Sequence, residues 1–247
     1  MLKNAFYHFG KFIVWLPQIF RKPENFKMYW NETMRQMEQI GLGSFLIVFL
    51  ISIFIGAVTA VQFAYQLTGF TIPRYYVGYI VRDMTLIEMA PTITCLVLAG
   101  KVGSNIAAEI GGMRQKEHIA AMEIMGVNTS AYLTLPRLIA CIVMVPVLVA
   151  MASIFSMIGA YLGSVPTGMF TGQEFTQGLR AFFDPYHVTM MLVKALVFGI
   201  VLCMVSCYQG YHVKQGSVEL GKASTQAVVL SNILILLSDY LIAVVLT

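Results

Sequence analysis

Three charged residues, Glu88, Lys194 and Asp239, interrupt otherwise apolar stretches of this 247-residue chain. A charge among apolar side chains is costly to bury, so such groups pair with one another, face water or relay protons. We predict that Lys194 pairs with Asp239, and we favour a bridge that stabilises packed helices over proton coupling. Glu88 precedes Pro91, where the proline should kink a helix, so a place on a substrate path and a purely structural role both fit it.

The segment 109–126 is short and charged, and it lies between two long apolar stretches. Gly111-Gly112 should break any helix that enters it, and a new helix is predicted from Met113 to Met125. Its apolar residues fall on two sides, with Met113, Ala120, Ala121, Ile124 and Met125 on one and Ile119 and Met122 on another. We expect one side to pack on the chain itself and the other in a groove of a soluble partner; an amphipathic helix resting on a bilayer is the alternative.

The sequence contains no recognisable catalytic centre. The run Gly216–Ala223 resembles a phosphate-binding loop, but that motif needs a preceding strand and a Ser or Thr where Ala223 stands. The four histidines are scattered without metal-ligand spacing, and no nucleophile is paired with a base. We therefore expect no enzyme activity, no ATPase motif, no bound cofactor or metal, and no nucleic-acid partner.

The elements that hold these residues must lie in a membrane, because apolar residues make up 58% of the chain and charged residues only 11%. A helix needs about 20 apolar residues to cross about 30 Å of hydrocarbon. Five stretches are long enough, and they cover about 42–66, 84–108, 131–164, 187–209 and 227–247. Small residues recur at every fourth position within spans, as in Gly56, Ala60 and Ala64, which favours close helix packing. The prediction is an all-α integral membrane protein whose residues 42–247 form a five-span domain.

Lys and Arg residues set the expected orientation, since they accumulate on the cytoplasmic side of spans. With the N-terminus inside, the outside loops hold only Arg74, Arg82 and Arg180. The inside segments hold Lys3, Lys11, Arg21, Lys22, Lys27, Arg35, Lys101, Arg114, Lys116, Arg137, Lys214 and Lys222. We therefore predict a cytoplasmic N-terminus, a C-terminus on the opposite side and a cytoplasmic segment 109–126.

Residues 1–41 do not read as a signal peptide, because they contain neither an uninterrupted apolar core nor a small-residue cleavage site. Aromatic and aliphatic residues between Phe6 and Phe20 alternate with basic residues between Lys3 and Lys22. This pattern predicts an amphipathic helix lying in the inner membrane interface. A merely solvated basic tail fits less well, since the aromatic content is high.

Several motifs resemble the MlaE (YrbE) permeases. They are Glu88-Met-Ala-Pro91, the run Leu98–Gly111, Glu117 with Met122–Gly126, Leu135-Pro-Arg137, Gly221–Ser231 and Asp239-Tyr240. The resemblance covers roughly 45–247, which is most of the chain. It implies a homodimeric ABC-transporter subunit in the bacterial inner membrane. Each copy would pair, through a coupling helix, with a cytoplasmic ABC ATPase that binds ATP and Mg²⁺. Phospholipid or a related lipid would move between inner and outer membranes, with an MCE-domain protein on the periplasmic side.

The resemblance also assigns residues by position. The coupling segment is 109–126, and its expected contact residues are Glu109, Gly111, Met113, Glu117, His118, Ala121, Met122, Met125 and Gly126. The expected lipid path holds Gln62, Tyr65, Glu88 and Pro91, and Lys194 and Asp239 also match family positions. Three positions depart from the pattern, with Ile87 and Lys101 where the family has Arg and Ala120 where it has Asp.

Our interpretation is a permease subunit powered by a separate ATPase. An ion-coupled secondary transporter, with Glu88, Lys194 and Asp239 as relay groups, is the first alternative. It predicts inverted repeats with broken helices at matching places, and the sequence shows none. A scaffold subunit that transports nothing is the second alternative, and it predicts no lipid between protomers.

Overall fold

The computed structural model describes residues 2–19, 26–67, 73, 75–164, 171–214 and 216–246, and these residues form helices joined by short turns, without a β-strand. The α-helices are α1 (Leu2–Ile19), α2 (Phe26–Leu67), α3 (Tyr76–Met84), α4 (Thr94–Leu98), α5 (Ser104–Gln115), α6 (His118–Ile124), α7 (Thr129–Ser164), α8 (Gly172–Arg180), α9 (Pro185–Tyr211) and α10 (Ser217–Leu246). The all-α prediction is therefore confirmed.

Among the residues that the structure describes, five helices are long and apolar enough to span a membrane, as predicted. They are Phe26–Gln66, Tyr76–Gln115, Thr129–Ser164, Pro185–Tyr211 and Ser217–Leu246. The second span stays helical across α3, α4 and α5 because π-helical turns, Thr85–Ile93 and Ala99–Gly103, connect them. Pro91 lies in the first π segment, where the wider turn accommodates a residue that lacks an N–H group. The structure thus places a change of helix type at Pro91, where the sequence predicted a kink.

The first span begins earlier than the hydropathy indicated. Helix α2 starts at Phe26 and runs unbroken through residue 42. Tyr29, Thr33, Gln36 and Ile40 are buried at helical spacing, so packing extends the helix beyond its apolar stretch. The predicted interfacial segment 1–41 therefore contains a separate helix, α1, and the first part of α2. The side chains of residues 1–9, the residues Arg21 and Lys22, and Arg74 lie outside the part of the chain that the structure describes.

The chain divides into two compact units. The first consists of Met1–Leu42, Leu98–Met144 and Gly199–Ile235. Its buried core includes Ile110 and Ile119, and Trp15 of α1 is buried in an aromatic cluster with Tyr208, Tyr211 and His212 of the α9 end. Helix α1 therefore packs Phe12 and Trp15 on protein, while its Val14 is 67% exposed.

The second unit consists of Gly43–Val97, Val145–Phe198 and Leu236–Thr247. Its core includes Ala60, Ala64, Val77, Val81 and Phe175. Helix α8, which the sequence analysis did not predict, begins with a capping box in which Thr171 and Glu174 bond each other's backbone N–H groups.

Arg82 fixes α8 and the turn after it to α3. Its guanidinium donates to the carbonyl oxygens of Leu179 (2.9 Å), Ala181 (2.7 Å) and Phe182 (3.1 Å), and to the Asp83 carboxylate (2.9 Å). These bonds use all three guanidinium nitrogens, which is what lets a charged side chain lie 2% exposed. The assignment of Arg82 to an outside loop was wrong, because the residue lies on α3 and is buried.

Helices α2 and α7 approach closely at glycine positions, and one of them, Gly56, belongs to the predicted small-residue stripe: a methyl group there would lie 2.6 Å from the Ser156 carbonyl carbon. A methyl group on Gly159 would lie 2.7 Å from the Ile53 carbonyl carbon, and one on Gly163 would lie 3.0 Å from the Ala57 Cα. Backbone atoms cannot move aside as a flexible side chain does. Glycine is therefore required where these two helices cross.

We expect Gly159→Val to lower the free energy of unfolding by about 3 kcal/mol or more, since overpacking here displaces backbone. Gly43→Ala on α2 is the matched control, because nothing lies within 4 Å of a methyl group there. That substitution should be neutral or stabilising by up to about 1 kcal/mol. Thermal unfolding in detergent measures both variants, and equal melting temperatures would show that the two helices do not cross at Gly159.

Candidate functional site

The three charges in the spans come together in the second unit. Lys194 Nζ on α9 is 2.6 Å from Glu88 Oε1 and 2.7 Å from Asp239 Oδ1 on α10. Thr92, four residues after Glu88, donates to Asp239 Oδ2 at 2.8 Å. Charge-assisted hydrogen bonds of this length are the strong ones in proteins. We call these four residues the charged cluster.

Exposure differs sharply within the charged cluster. The Lys194 side chain is fully buried, Asp239 is 13% exposed and Glu88 is 38% exposed. A buried ammonium needs compensating charge, and Lys194 has two carboxylates. Glu88 is therefore the member that a ligand can approach, while Lys194 and Asp239 form the buried part. The pairing of Lys194 with Asp239 was predicted, but the contact of Lys194 with Glu88 was not.

The remaining lipid-path candidates occupy separate surfaces. Gln62 and Tyr65 lie near the end of α2 with exposed side chains. Pro91 is buried in the π-helical segment that carries Glu88. Of the predicted lipid-path residues, the structure thus brings Glu88 and Pro91 onto one element, whereas Gln62 and Tyr65 belong to α2.

The segment 109–126 breaks at a different place from the one predicted. Helix α5 continues through Gly111 and Gly112 and ends at Gln115. A methyl group on Gly111 would lie 2.5 Å from Leu220 and 3.1 Å from Val213, so this glycine allows close packing instead of ending the helix. The break falls at Lys116 and Glu117, and Glu117 adopts the left-handed region with φ of 58°.

Helix α6 is consequently shorter than predicted, spanning His118–Ile124, and Met113 belongs to α5. A second left-handed residue, Gly126 with φ of 83°, follows it. The α-helical hydrogen bonding of α6 therefore ends at a left-handed residue on each side.

The two sides of α6 have different environments. Ile119 is fully buried in the first unit and Met122 is half-buried. On the other side Ala121 is exposed, and Ile124 and Met125 are 88% and 71% exposed. Two large exposed apolar residues beside exposed Glu117 and His118 are typical of a surface that another protein covers.

Helix α5 is fixed firmly beside this surface. Arg137 of α7 contacts Glu109 of α5 at 2.9 Å and donates to the Leu133 carbonyl at 2.6 Å. Gln115 donates to the Gly216 carbonyl at 2.6 Å. Glu109 and Gly111, assigned to the coupling surface, therefore hold α5 in place within the first unit.

Comparison with known proteins decides the family. The family model for the permease MlaE matches residues 33–245, which is most of the chain. The chain belongs to the MlaE permease family. It is thus a multi-pass membrane protein and an ABC-transporter permease, as the motifs indicated.

Named relatives of this MlaE-family chain agree. A probable ABC transporter permease protein of Rickettsia bellii is 35% identical, with 94% of this chain and 90% of the relative aligned. The intermembrane phospholipid transport system permease protein MlaE of Haemophilus influenzae is 28% identical over 86% of this chain and 81% of its own. The chloroplastic protein TRIGALACTOSYLDIACYLGLYCEROL 1 of Arabidopsis thaliana is 29% identical over 88% of this chain and 62% of its own.

The three departures expected from the MlaE pattern lie beside the charged cluster, on α6 and in the second π segment. Ile87 precedes Glu88 in the π-helical segment, so the residue beside the charged cluster is apolar. Ala120 is exposed on α6. Lys101 is exposed in the second π segment and keeps a charge without the planar guanidinium fork.

Sequence reasoning missed several polar residues of this MlaE-family permease. Thr92 had a detectable signal, because it follows Glu88 by four residues and residues so spaced share a helix face. Glu123, Thr129 and Tyr211 had none, since each is an ordinary polar residue near a helix end. Their contacts with one another join chain segments up to 88 residues apart.

Proposed function

We propose that this permease moves phospholipid or a related lipid between the inner and outer membranes of a Gram-negative cell. A separate cytoplasmic ABC ATPase, docked on α6, would power it. The observation that carries the proposal is the uncovered apolar side of α6, with Ile124 and Met125 exposed and Ile119 anchored. Family membership supports an ABC partner, and the Haemophilus relative's name supports a phospholipid.

ATP and Mg²⁺ belong on the partner ATPase under this proposal. The loop-like run Gly216–Ala223 supports this, because α10 begins at Ser217 and no strand precedes it among the described residues. The permease then supplies the path through the membrane and, on α6, the docking surface for the ATPase. The residues of α6 and its C-terminal end that would contact the ATPase are His118, Ala121, Met122 and Met125.

The transport step follows from how α6 is attached. Closure of the ATPase on ATP binding would displace α6 and tilt the spans on either side of it. Glu88 is the exposed member of the charged cluster, so it would meet the lipid head group, with Pro91, Gln62 and Tyr65 along the lipid's path. Ile87 beside Glu88 leaves the carboxylate as the polar contact at that position.

Two copies of the permease would enclose the lipid. The exposure of α10 supports the presence of a second copy or a partner in the membrane. Only 11% of its most apolar stretch is buried, against 33–56% for the other spans. Tyr240, Leu241 and Val245 are among its exposed apolar residues. The N-terminus would be cytoplasmic, the C-terminus periplasmic, and an MCE-domain protein would receive or deliver lipid on the periplasmic side.

Purification of the tagged permease from its own membranes in a mild detergent tests this assignment. Mass spectrometry of the eluate is expected to identify an ABC ATPase, an MCE-domain protein and bound phospholipid. A permease that is recovered without an ATPase contradicts the proposal.

Ion-coupled transport is the second candidate, and the charged cluster is the observation in its favour. It requires lipid movement that depends on an ion gradient and continues without ATP. Collapse of the proton gradient in proteoliposomes with an ionophore separates the two, since ATP-driven transport should continue under that treatment.

A further inference from the structure

A hydrogen-bonded ring joins α6 to the ends of two spans. Glu123, on the last turn of α6, accepts from Tyr211 at 3.1 Å and from Thr129 at 3.2 Å. The Tyr211 and Thr129 hydroxyl oxygens are themselves 2.9 Å apart. Thr129 is the first residue of α7 and Tyr211 is the last residue of α9. We call these three residues the clasp.

Proton counting shows why the clasp needs a hydrogen-bond acceptor at position 123. Each hydroxyl has one proton to donate, so two protons serve the three contacts. Both hydroxyls can donate to Glu123, or one hydroxyl can donate to the other while the second donates to Glu123. In every arrangement Glu123 is the final acceptor, and without an acceptor at position 123 the ring opens.

Neighbouring groups strengthen the clasp without closing it off from water. Arg114 of α5 lies 3.9 Å from Glu123 Oε1 and 5.7 Å from the Tyr211 ring centre. Trp15 of α1 lies 6.0 Å from the same ring. An open cavity of about 320 Å³, lined in part by Glu123, Thr129 and Tyr211, lies beside the ring. Water can therefore replace the bonds of the clasp, as a reversible contact requires.

The clasp also determines which helices follow α6. Glu117 and Gly126 lie in the left-handed region at the two ends of α6, so α6 is not a continuous extension of α5 or α7. Burial of Ile119 holds α6 on the first unit, but the hydrophobic interaction is non-directional and does not link α6 to particular helices. The clasp is directional, since it links α6 to the first residue of α7 and the last of α9.

We propose that Glu123 is a positioning residue that carries displacement of α6 to α7 and α9 through Tyr211 and Thr129. The proposal rests on the proposed function, because it names the internal route by which an ATPase docked on α6 would move the spans. It assigns Glu123 to transmission and not to docking, since its Oε1 accepts from Tyr211 and Thr129 although 47% of the side chain is exposed.

The test uses the full permease–ATPase complex in proteoliposomes with fluorescent phospholipid. Assembly with the ATPase, ATP hydrolysis and lipid moved per ATP are measured separately. Glu123→Ala should leave assembly and basal hydrolysis within about twofold of wild type while lipid moved per ATP falls about tenfold, as loss of a typical coupling would give. Glu123→Gln keeps an acceptor oxygen and should restore most of the loss. Glu38→Ala, which removes an exposed carboxylate on α2, is the control and should change nothing.

Three outcomes overturn the inference. Unchanged lipid moved per ATP in Glu123→Ala shows that the clasp does not transmit, and lost assembly with folding intact shows that Glu123 docks the ATPase. Failure of Glu123→Gln to rescue shows that hydrogen-bond acceptance is not its role. Should Glu123→Ala misfold, Tyr211→Phe/Thr129→Val removes both donors to Glu123 with little change of side-chain volume, and unchanged coupling there overturns the inference. If wild-type permease itself binds no ATPase, the proposed function fails instead, so the two failures are distinguishable.

Discussion

Replacement of Lys194 by methionine is expected to destabilise the permease by about 3–5 kcal/mol, because it leaves the largely buried Asp239 carboxylate, and Glu88 beside it, without their counter-charge. Glu88 and Asp239 both lie within 2.7 Å of the Lys194 ammonium, and Asp239 is almost buried. Methionine fills much of the same space, so the loss reports charge and not a cavity. Unfolding of the purified protein in detergent, followed by its melting temperature, measures the effect.

Two further variants show whether the effect arises from the charged cluster. Lys222→Met is the matched control, since Lys222 is 60% exposed and pairs with Glu219 on the surface of α10. It should change stability by no more than about 0.5 kcal/mol. The triple variant Glu88→Gln/Lys194→Met/Asp239→Asn removes every charge and should recover most of the stability.

Transport by the triple variant then separates structure from function. A bridge that only stabilises the helices predicts that lipid transport returns together with stability. A stable triple variant that moves no lipid assigns the charges to the transport step. A Lys194→Met protein that melts like wild type would show that the charged cluster contributes nothing to the fold.

Ala121→Trp is expected to abolish ATPase docking, and with it ATP-driven lipid transport, while leaving the permease folded. Ala121 is exposed on the side of α6 that carries Ile124 and Met125, so a large ring there blocks a groove without disturbing the core. Co-purification of the ATPase and lipid-stimulated ATP hydrolysis measure the result. Gln39→Trp, at an exposed position on α2, is the control for adding an indole to the surface.

Glu117→Arg tests the same surface by charge. Glu117 already adopts a left-handed conformation with φ of 58°, which arginine shares at a similar energetic cost. The substitution therefore changes charge and bulk without new backbone strain, and we expect weakened docking. Normal assembly and normal lipid-stimulated hydrolysis in both Ala121→Trp and Glu117→Arg would remove α6 from the ATPase interface.

The spans could be predicted from the sequence because a membrane imposes one simple requirement, an apolar helix of sufficient length. The pairing of Lys194 with Asp239 could be predicted for a similar reason, since an isolated charge among apolar residues needs a partner. Neither argument depends on which helices are neighbours. Both predictions could therefore be made without knowledge of the tertiary structure.

The break in segment 109–126 could not be predicted, because a glycine can either end a helix or allow another helix to pack closely against it. Gly111 was interpreted as a helix breaker, but it lies where Leu220 approaches α5, and that neighbour is 109 residues away in the chain. The contact between Glu88 and Lys194 could not be predicted, because Glu88 lies in a π-helical segment, where the direction of each side chain around the helix axis differs from that in an α-helix. The clasp could not be predicted, because it forms only when the ends of α6, α7 and α9 lie next to one another. Each miss depends on a long-range contact that local patterns do not encode.

ATP-dependent lipid transfer by the reconstituted complex tests the central claim most directly. Permease and ATPase are placed together in proteoliposomes with fluorescent phospholipid, and transfer to an acceptor is followed with ATP, without ATP and without the ATPase. The account predicts transfer only when the ATPase and ATP are both present, and its loss in Ala121→Trp. Equal transfer by the permease alone, or transfer driven by an ion gradient without ATP, would contradict it.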